Sequence, residues 1–290
     1  MARRTDLALE EKELFEESES TKLSGVISRE EDCGGLWATV VEIVDEAGAE
    51  ALHKPIGTYI TVELSDYARK KQDSFAPAVE AIAHYMTQLM GEHQGTVLVV
   101  GLGNKAITAD AVGPLVTEQM FVTRHLVDHL PDYFGDYRPT CVIAPGVLGM
   151  TGMESAEVVQ ALVNQMKPAC VIAVDALASR NLGRVCTTVQ LSDTGITPGS
   201  GVQNARAALN RQVLGVPVVA VGVPTVVEVA TLATDYNQEG VLEACDGMAM
   251  VVTPRDIDAK VLELSKAISY GLNMAIHPQL TMDDIAYFVP

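Results

Sequence analysis

The chain has 290 residues, of which 48% are hydrophobic and 5% aromatic, and its 38 acidic and 20 basic side chains give a formal net charge of −18. This composition excludes a chain that is mostly disordered, and the negative charge disfavours direct binding to nucleic acid or anionic lipid, because both would repel it. No stretch has the length and apolarity of a membrane span or a secretory signal, so the sequence predicts a cytoplasmic protein without membrane contact.

The first part of the chain predicts an exposed arm followed by two strands and a helix. Residues 1–32 are polar and charged and lack the periodicity that would require a contact with a core, so we expect an acidic N-terminal arm. The β-rich runs 36–44 and 58–64 are expected to pair with each other. Residues 75–90 carry apolar side chains at helical spacing, which predicts a helix.

From residue 96 onward, short apolar runs alternate with amphipathic stretches. The predicted strands are 96–101, 140–144, 170–177, 186–191 and 216–222, and the predicted helices are 113–129, 154–166, one starting near Gly201, 225–235 and 256–276. Apolar strands that alternate with helices are typical of a mostly parallel or mixed sheet with helices on both faces. Because no linker or repeat interrupts the pattern, the sequence predicts one α/β domain over residues 33–290.

Two aspartates follow predicted strands at the same edge of this sheet. Asp110 lies in the glycine-rich loop 101–114, together with Asn104 and Thr108, and Asp175 directly follows a buried run of Val, Ile and Ala near the end of the strand predicted at 170–177. The loops at the carboxyl ends of parallel strands converge, so the two carboxylates are expected to lie close together. Two close carboxylates share one proton, and such a pair can activate water and protonate a leaving amine.

The same spacing leaves other roles open. Asp110 or Thr108 also fits the N-cap of the helix that begins near Pro114, and Asp175 also fits a cap of the following turn. The GLGN run resembles the start of a dinucleotide-binding fingerprint, but Ala106 replaces the third glycine and no acidic residue ends a second strand at the usual distance. The sequence therefore disfavours nucleotide binding and leaves the carboxylate pair and the caps as alternatives.

A second loop follows the strand predicted at 186–191. Asp193 begins an Asp-Thr-Gly tripeptide, which pepsin-like and retroviral aspartic proteases also contain. Their machinery needs two copies on an all-β scaffold, so we interpret this copy as a turn in a supporting loop. Gly199, Ser200 and Gly201 open a predicted helix and offer backbone N–H groups to an oxyanion, with a tight turn capped by Ser200 as the alternative.

Motifs of metal enzymes and serine hydrolases are absent from the sequence. The 6 histidines form no HExxH motif, the 5 cysteines form no CxxC pair, and no serine lies in a GxSxG motif. His125 and His129 are four residues apart, but no acidic partner motif accompanies them, so we interpret them as solvated residues of a helix face. We therefore predict neither a metal nor a cofactor.

Several stretches, taken in order along the chain, resemble the germination protease family of spore-forming bacteria. They are RTDLALE (4–10), 25–64, GLGNKAITADAVGP (101–114), APGVLGMTGMESAEVV (144–159), 171–206 and VGVPTVVEV (221–229). The resemblance implies an endopeptidase that cuts the small, acid-soluble, DNA-coating proteins of the spore core at the onset of germination. It also implies a location in the cytoplasm of the forespore or spore core.

The resemblance further implies a fold, an assembly and roles for particular residues. The family's proposed catalytic carboxylates fall on Asp110 and Asp175. The fold is similar to that of hydrogenase-maturation proteases, whose corresponding carboxylates lie at a metal-binding site, although no metal is implied for the germination enzymes. A homotetramer is also implied, but the region between Val229 and Val252 is shorter here than in the longer family members, which affects the expected subunit contacts.

The N-terminal residues resemble the self-cleavage site of a zymogen. Family enzymes remove a short propeptide by cutting between an acidic and an apolar residue, which are followed by alanine and a downstream glutamate. Residues 5–10, with the sequence TDLALE, fit this pattern. The resemblance therefore implies cleavage between Asp6 and Leu7, with residues 1–6 as the propeptide, and an inert tail is the alternative.

Two other functions stay open on the sequence. A metal-dependent maturation protease of the hydrogenase type would use the same scaffold with a bound divalent ion. A non-catalytic binding domain would use it without any chemistry, since a fold alone does not determine a function.

Overall fold

A computed structural model describes residues 4–18, 23–92, 94–198, 207–236 and 250–289 of the chain. The strands within these ranges are β1 (Val26–Cys33), β2 (Leu36–Ile43), β3 (Gly57–Glu63), β4 (Val97–Gly101), β5 (Thr140–Ile143), β6 (Cys170–Ala178), β7 (Thr188–Ser192), β8 (Val218–Glu228) and β9 (Val251–Val252). They form one sheet in the order β1-β2-β3-β7-β8-β6-β4-β5, and β9 pairs with β8 off this path.

The sheet has a parallel half and an antiparallel half. Strands β5, β4, β6 and β8 run parallel to their neighbours. Strands β1, β2, β3 and β7 pair antiparallel, and β7 joins the two halves by pairing antiparallel with β8. This arrangement confirms the predicted mixed α/β fold.

Helices cover both faces of the sheet. The described helices are α1 (Ala8–Ser18), α2 (Glu46–Leu52), α3 (Ser65–Ala68), α4 (Phe75–Met90), α5 (Val112–Thr117), α6 (Arg124–His129), α7 (Pro131–Phe134), α8 (Leu148–Thr151), α9 (Ser155–Met166), α10 (Arg211–Leu214), α11 (Val229–Asp235), α12 (Ile257–Ile276) and α13 (Met282–Phe288). One face packs on α4, α5 and α12, and the other packs on α9 and α10. Among these helices, none combines the length and apolarity that crossing a bilayer requires.

The burial of the elements follows their sequence patterns. Every residue of β4 is buried, as expected for an apolar strand with helices on both sides. In α4 the residues Val79, Ile82 and Met86 are each 0% exposed and recur at helical spacing, so one stripe of this helix faces the core. The helix stops at Gly91, which takes a φ of +60° that side chains disfavour.

The expectation of an exposed N-terminal arm is wrong. α1 and β1 both fall within it, and Leu7, Ala8 and Glu10 are each 0% exposed. Burial of Leu7 and Ala8 is favourable because it removes apolar surface from water. Burial of Glu10 is tolerated because its carboxylate is hydrogen-bonded. A single apolar pair followed by a buried glutamate has no recognisable period, so the sequence pattern did not reveal these contacts.

Two helix predictions differ from the structure, and a third is not tested by it. The helix expected at 113–129 is two helices, α5 and α6. Between them the N–H of the buried Phe121 donates to Asn273 Oδ1 at 2.8 Å, which ties the connecting segment to α12. The helix expected at 225–235 begins at Val229, because the preceding residues extend β8 and pair with β6 and β9. The helix expected near Gly201 lies outside the described residues.

Candidate active site

The ends of β4 and β6 bring Asp175 beside the loop that carries Asp110. Gly101 of β4 lies opposite Val174 of β6, and the N–H of Leu102 donates to the carbonyl oxygen of Val174 at 2.8 Å. Asp175, the next residue of β6, is 4% exposed, and its Oδ1 accepts the N–H of Ala176 at 2.9 Å. The parallel pairing therefore places Asp175 beside the carboxyl end of β4, although β6 itself continues to Ala178.

Asp110 ends a short 3₁₀ helix that begins at Thr108. Its Oδ2 accepts the N–H of Asn104 at 2.8 Å, which closes the loop between β4 and α5. A Cβ at Gly103, where φ is +107°, would lie 2.1 Å from the carbonyl oxygen of Asp110, so only glycine fits here. This loop gives Asp110 a single position next to the end of β4.

The capping alternative does not describe Asp110 or Thr108. The N-cap of α5 is Ala111, and no side chain caps that helix. Asn104 instead forms a local turn, since its Oδ1 accepts the N–H of Ala106 at 3.0 Å. The hydroxyl of Thr225, a residue of β8 that is 1% exposed, donates to the carbonyl oxygen of Ala109 at 2.7 Å and holds the loop from the far side.

Asp110 and Asp175 line the same cleft, whose volume is about 480 Å³. The other polar side chains of its lining belong to Asp6, Ser155 and Thr225. Most of its walls are apolar and include Leu102, Ile107, Val147, Leu177, Val226 and Val251. Apolar walls around a few convergent polar groups are typical of a substrate-binding site.

The N-terminal segment enters this cleft alongside β6. The N–H of Asp6 donates to the carbonyl oxygen of Ala178 at 2.9 Å, and the N–H of Ala178 donates to Asp6 Oδ2 at 2.8 Å. Before it, the N–H of Arg4 donates to the hydroxyl of Thr231 at 3.4 Å. Burial raises the pKa of Glu228 in this region, and the charge of Arg4 opposes that shift. The hydrogen bonds of Arg4 and Asp6 therefore hold the segment against α11 and the end of β6.

Glu10 anchors the segment on its C-terminal side. Its carboxylate accepts hydrogen bonds from the hydroxyl of Ser179 at 2.7 Å and from the backbone N–H groups of Arg180 at 2.6 Å and Asn181 at 3.0 Å. The guanidinium of Arg184 lies 3.3 Å away and also pairs with Glu13. This fully buried carboxylate has the partners that a buried charge requires.

The second predicted loop is only partly described. Asp193 Oδ1 accepts the N–H of Thr58 at 2.8 Å, so the Asp-Thr-Gly turn ties β7 to β3. Asp193 is not among the described residues that line the cleft, whereas Pro198 is. Gly199, Ser200 and Gly201, predicted to bind an oxyanion, lie outside the described residues.

The described residues do not offer an evident metal site. No three His, Cys, Asp or Glu side chains in this part of the chain converge so that they could hold a metal ion. His125 and His129 are exposed on α6. The described donor set at the cleft therefore does not match a metal site.

Sequence analysis did not identify Lys54, Gln190 and Thr225 as residues of this region. Gln190 lies in β7 between other polar residues, Thr188 and Ser192, so the sequence did not indicate its burial. Lys54 lies in the connector between the runs 36–44 and 58–64 and had no signal either. Lys54 and Gln190 both contact the N-terminal segment.

The comparisons with known proteins agree with one another. Residues 2–242 match a family model described as Germination protease. A Germination protease from Clostridium perfringens is 39% identical over 99% of this chain and 98% of its own length. One from Clostridium tetani is 40% identical over 98% of each, and one from Bacillus pumilus is 33% identical over 98% of this chain and 96% of its own length.

These relatives define the class of protein as a peptidase. The chain belongs to the germination protease family. Its alignment with the Clostridium perfringens relative extends over 320 positions, more than the 290 residues of the chain, so that relative contains segments that this chain lacks. Among solved structures, the NiFe hydrogenase maturation protease HycI from Thermococcus kodakarensis matches with a TM-score of 0.37 and 18% identity, over 65% of this chain and 98% of that chain.

Proposed function

We propose that this chain is an endopeptidase that begins the degradation of small acid-soluble spore proteins during germination. It is made as a zymogen that cuts itself between Asp6 and Leu7, and Asp110 and Asp175 activate the attacking water. We further propose that it acts as a homotetramer in the cytoplasm of the forespore and spore core. Family membership supports the protease activity, and the contents of the cleft support the finer assignments.

One observation carries the proposal: Asp6 lines the same cleft as Asp110 and Asp175. The residue before the proposed scissile bond thus already lines the cleft that both carboxylates line. An inert tail has no reason to be buried there, with Leu7 0% exposed and Asp6 paired to the edge of β6. Cleavage in the same molecule then needs no second binding event, since the bond is already positioned.

The chemistry requires one carboxylate as a base and one as an acid. The base takes a proton from water as its oxygen attacks the carbonyl carbon, and the acid gives a proton to the leaving amine as the C–N bond breaks. A coupled pair of this kind titrates as a unit, so the two roles belong to the pair. We expect activity to favour mildly acidic to neutral pH, where one shared proton is present.

The surroundings of the cleft favour a polypeptide substrate with apolar side chains. Ile107 and Val251 in its lining are 56% and 49% exposed. Beside Val147, the segment 148–153 exposes Met150 and Met153 by 68% and 50%. Exposed apolar patches of this kind mark binding surfaces, and methionine adapts to varied partners.

The test follows the mass of the intact protein over hours at mildly acidic and at neutral pH, in the wild type and in Asp175→Asn. We expect the wild type to lose residues 1–6, and the variant to do so at a rate lower by about 10²–10⁴, the usual contribution of an acid or base. Equal rates in the two proteins would contradict the assignment of Asp175.

Two further experiments distinguish this proposal from a metal-dependent protease and from a non-catalytic domain. Inhibition by a chelator with rescue by nickel or zinc would favour the metal-dependent protease. If no protein processes itself, a purified small acid-soluble spore protein is added as substrate: its cleavage would mean that the arm is not a propeptide, and its survival would favour a non-catalytic domain.

A further inference from the structure

The carbonyl oxygen of Asp6 accepts two hydrogen bonds from distant parts of the chain. Lys54 Nζ donates to it at 2.9 Å, and Gln190 Nε2 donates to it at 3.2 Å. This oxygen belongs to the peptide bond between Asp6 and Leu7. A donor from the connector after α2 and a donor from β7 thus meet on one carbonyl group.

The sheet register relates these donors to the carboxylate pair. Gln190 of β7 lies opposite Gly222 of β8, and Gly222 lies opposite Asp175 of β6. Side chains directly opposite each other on neighbouring strands project from the same face, so Gln190 and Asp175 share a face and are two strands apart, about 10 Å at the usual spacing. Gly222, which lies between them, carries no side chain, so no side chain at that position of β8 separates Gln190 from Asp175.

Asp6 lies where these two groups of residues meet. Together with Leu177 it lines both the cleft of Asp110 and Asp175 and a second cavity, of about 220 Å³, whose lining includes Lys54 and Gln190. Asp6 therefore borders both the cavity that the donors line and the cleft that the carboxylates line. Attack on a carbonyl carbon needs both kinds of group near it, a base to activate the nucleophile and donors for the oxygen.

The neighbouring contacts hold the amide of Gln190 in place. Its Oε1 accepts the N–H of Ala8 at 2.7 Å, so the Nε2 group of the same amide is directed at the Asp6 carbonyl. Asp6 itself is fixed by its two hydrogen bonds with Ala178. The donors and the carbonyl group are thus positioned before any reaction, which is what makes electrostatic stabilisation effective.

We propose that Lys54 and Gln190 form the oxyanion-binding site of the peptidase, an inference that rests on the function proposed above. When water adds to the Asp6 carbonyl carbon, a C–O bond forms and the π electrons of the carbonyl move to its oxygen, which becomes negative. The ammonium of Lys54 and the amide N–H of Gln190 stabilise that charge. The electrons return as the C–N bond to Leu7 breaks, and the leaving nitrogen takes its proton from the carboxylic acid.

The same site serves substrates in trans after residues 1–6 leave. The carbonyl group of an acidic residue in the substrate then occupies the position of the Asp6 carbonyl, against the same two donors. Lys54 and Gln190 are therefore expected to act on every peptide bond that the enzyme cuts.

The first test measures the rate constant of self-processing in full-length Lys54→Met, Lys54→Arg and Gln190→Glu. Loss of one oxyanion donor lowers the rate by about 10²–10³, so we expect that decrease in Lys54→Met and partial recovery in Lys54→Arg, which restores a cationic donor. Gln190→Glu keeps an acceptor for the N–H of Ala8 but removes the donor, so it should also slow the reaction. Lys71→Met, which removes an exposed lysine paired with Asp66, is the matched control and should process at the wild-type rate.

A second measurement excludes a purely structural role. Hydrogen exchange of residues 5–18 reports whether the segment still lies in the cleft, and we expect the protection in Lys54→Met to equal that of the wild type. A slow rate together with lost protection would mean that Lys54 only anchors the segment, and it would overturn the inference. An unchanged rate in Lys54→Met would overturn it as well, whereas a wild type that never processes would overturn the proposed function and this inference together.

Discussion

The N-terminal segment passes two kinds of carboxylate: Glu10, which belongs to the segment, and Asp110 and Asp175, which line the cleft beside it. Glu10 is 0% exposed, and hydroxyl, backbone and guanidinium donors converge on its two oxygens. Asp175 is almost as well buried, at 4% exposure, but it and Asp110 line a cleft of about 480 Å³. The Glu10 carboxylate is enclosed by donors, whereas Asp110 and Asp175, which accept the N–H groups of Asn104 and Ala176, also line an open cleft.

The surroundings of a carboxylate distinguish an anchoring role from a chemical role better than its burial does. A carboxylate enclosed by donors is stabilised in one protonation state and one position, which suits it to hold a segment in place. Carboxylates on an open cleft with apolar walls can exchange protons with water and substrate. Under the proposed function, Glu10 anchors the segment and Asp110 and Asp175 act on it, so variants should affect stability in one region and activity in the other.

The largest expected effect is on stability, at the anchor. Glu10→Ala leaves Ser179, two backbone N–H groups and Arg184 without their carboxylate. We expect the free energy of unfolding to fall by about 3 kcal/mol, the low end for breaking a buried ion pair, because Arg184 retains Glu13. Chemical denaturation measures it, and both proteins carry Asp175→Asn so that the chains stay at full length.

The comparison variant for the anchor is Asp110→Asn. It should stop self-processing while keeping the free energy of unfolding within about 1 kcal/mol, since asparagine retains an oxygen for the N–H of Asn104. If Glu10→Ala and Asp110→Asn lost stability equally, the separation between anchor and reactive site would be wrong.

His277 is another buried ionisable group, and it lacks a set of partners like the one around Glu10. His277 is 0% exposed and packs against Phe121 and Tyr137, with the hydroxyl of Thr140 at 3.3 Å. Burial lowers its pKa from 6.5 to about 4, and a backbone contact with Phe121 opposes that shift. The folded protein therefore holds a neutral ring over a pH range in which the unfolded chain is protonated.

This shift makes stability depend on pH with a definite sign. Above pH 6.5 the ring is neutral in both states and contributes nothing; between pH 6.5 and about 4 the unfolded chain binds the extra proton, so stability falls as the pH falls. The accumulated loss is about 3 kcal/mol below pH 4. Denaturation of Asp175→Asn across this range, with and without His277→Phe, measures it. His129→Gln, at an exposed position, is the control, and equal slopes in all three proteins would contradict the argument.

The parallel half of the sheet could be predicted from the sequence because its determinants are local. The run that ends at Asp175 is apolar over a whole strand, which indicates burial on both faces without knowledge of the partners. Asp110 follows a glycine-rich loop after a similar run. Strand ends of a parallel sheet converge by topology, so two local signals were enough to predict one edge.

The contacts of the N-terminal segment could not be predicted in the same way because their partners are remote. Gln190 Nε2 reaches the Asp6 carbonyl across 184 residues, and Lys54 Nζ reaches it across 48. Nothing in the local pattern around Lys54 distinguishes it from a solvated lysine. Two of the partners of Glu10 are the backbone N–H groups of Arg180 and Asn181, for which side-chain chemistry gives no signal.

The smallest expected effect is that of substituting Asp193. This substitution tests whether the Asp-Thr-Gly motif or a location in the cleft gives an aspartate a role in catalysis. Its Oδ1 accepts the N–H of Thr58, and an asparagine at this position keeps that acceptor. We therefore expect Asp193→Asn to change the free energy of unfolding by less than about 1 kcal/mol and to self-process at the wild-type rate. Asp193 directly follows β7 and Asp175 lies in β6 of the same sheet, and both substitutions replace one oxygen by an amide nitrogen. A loss of processing in Asp193→Asn, with its unfolding unchanged, would assign chemistry to the Asp-Thr-Gly turn and would make the cleft of Asp110 and Asp175 only part of the reactive site.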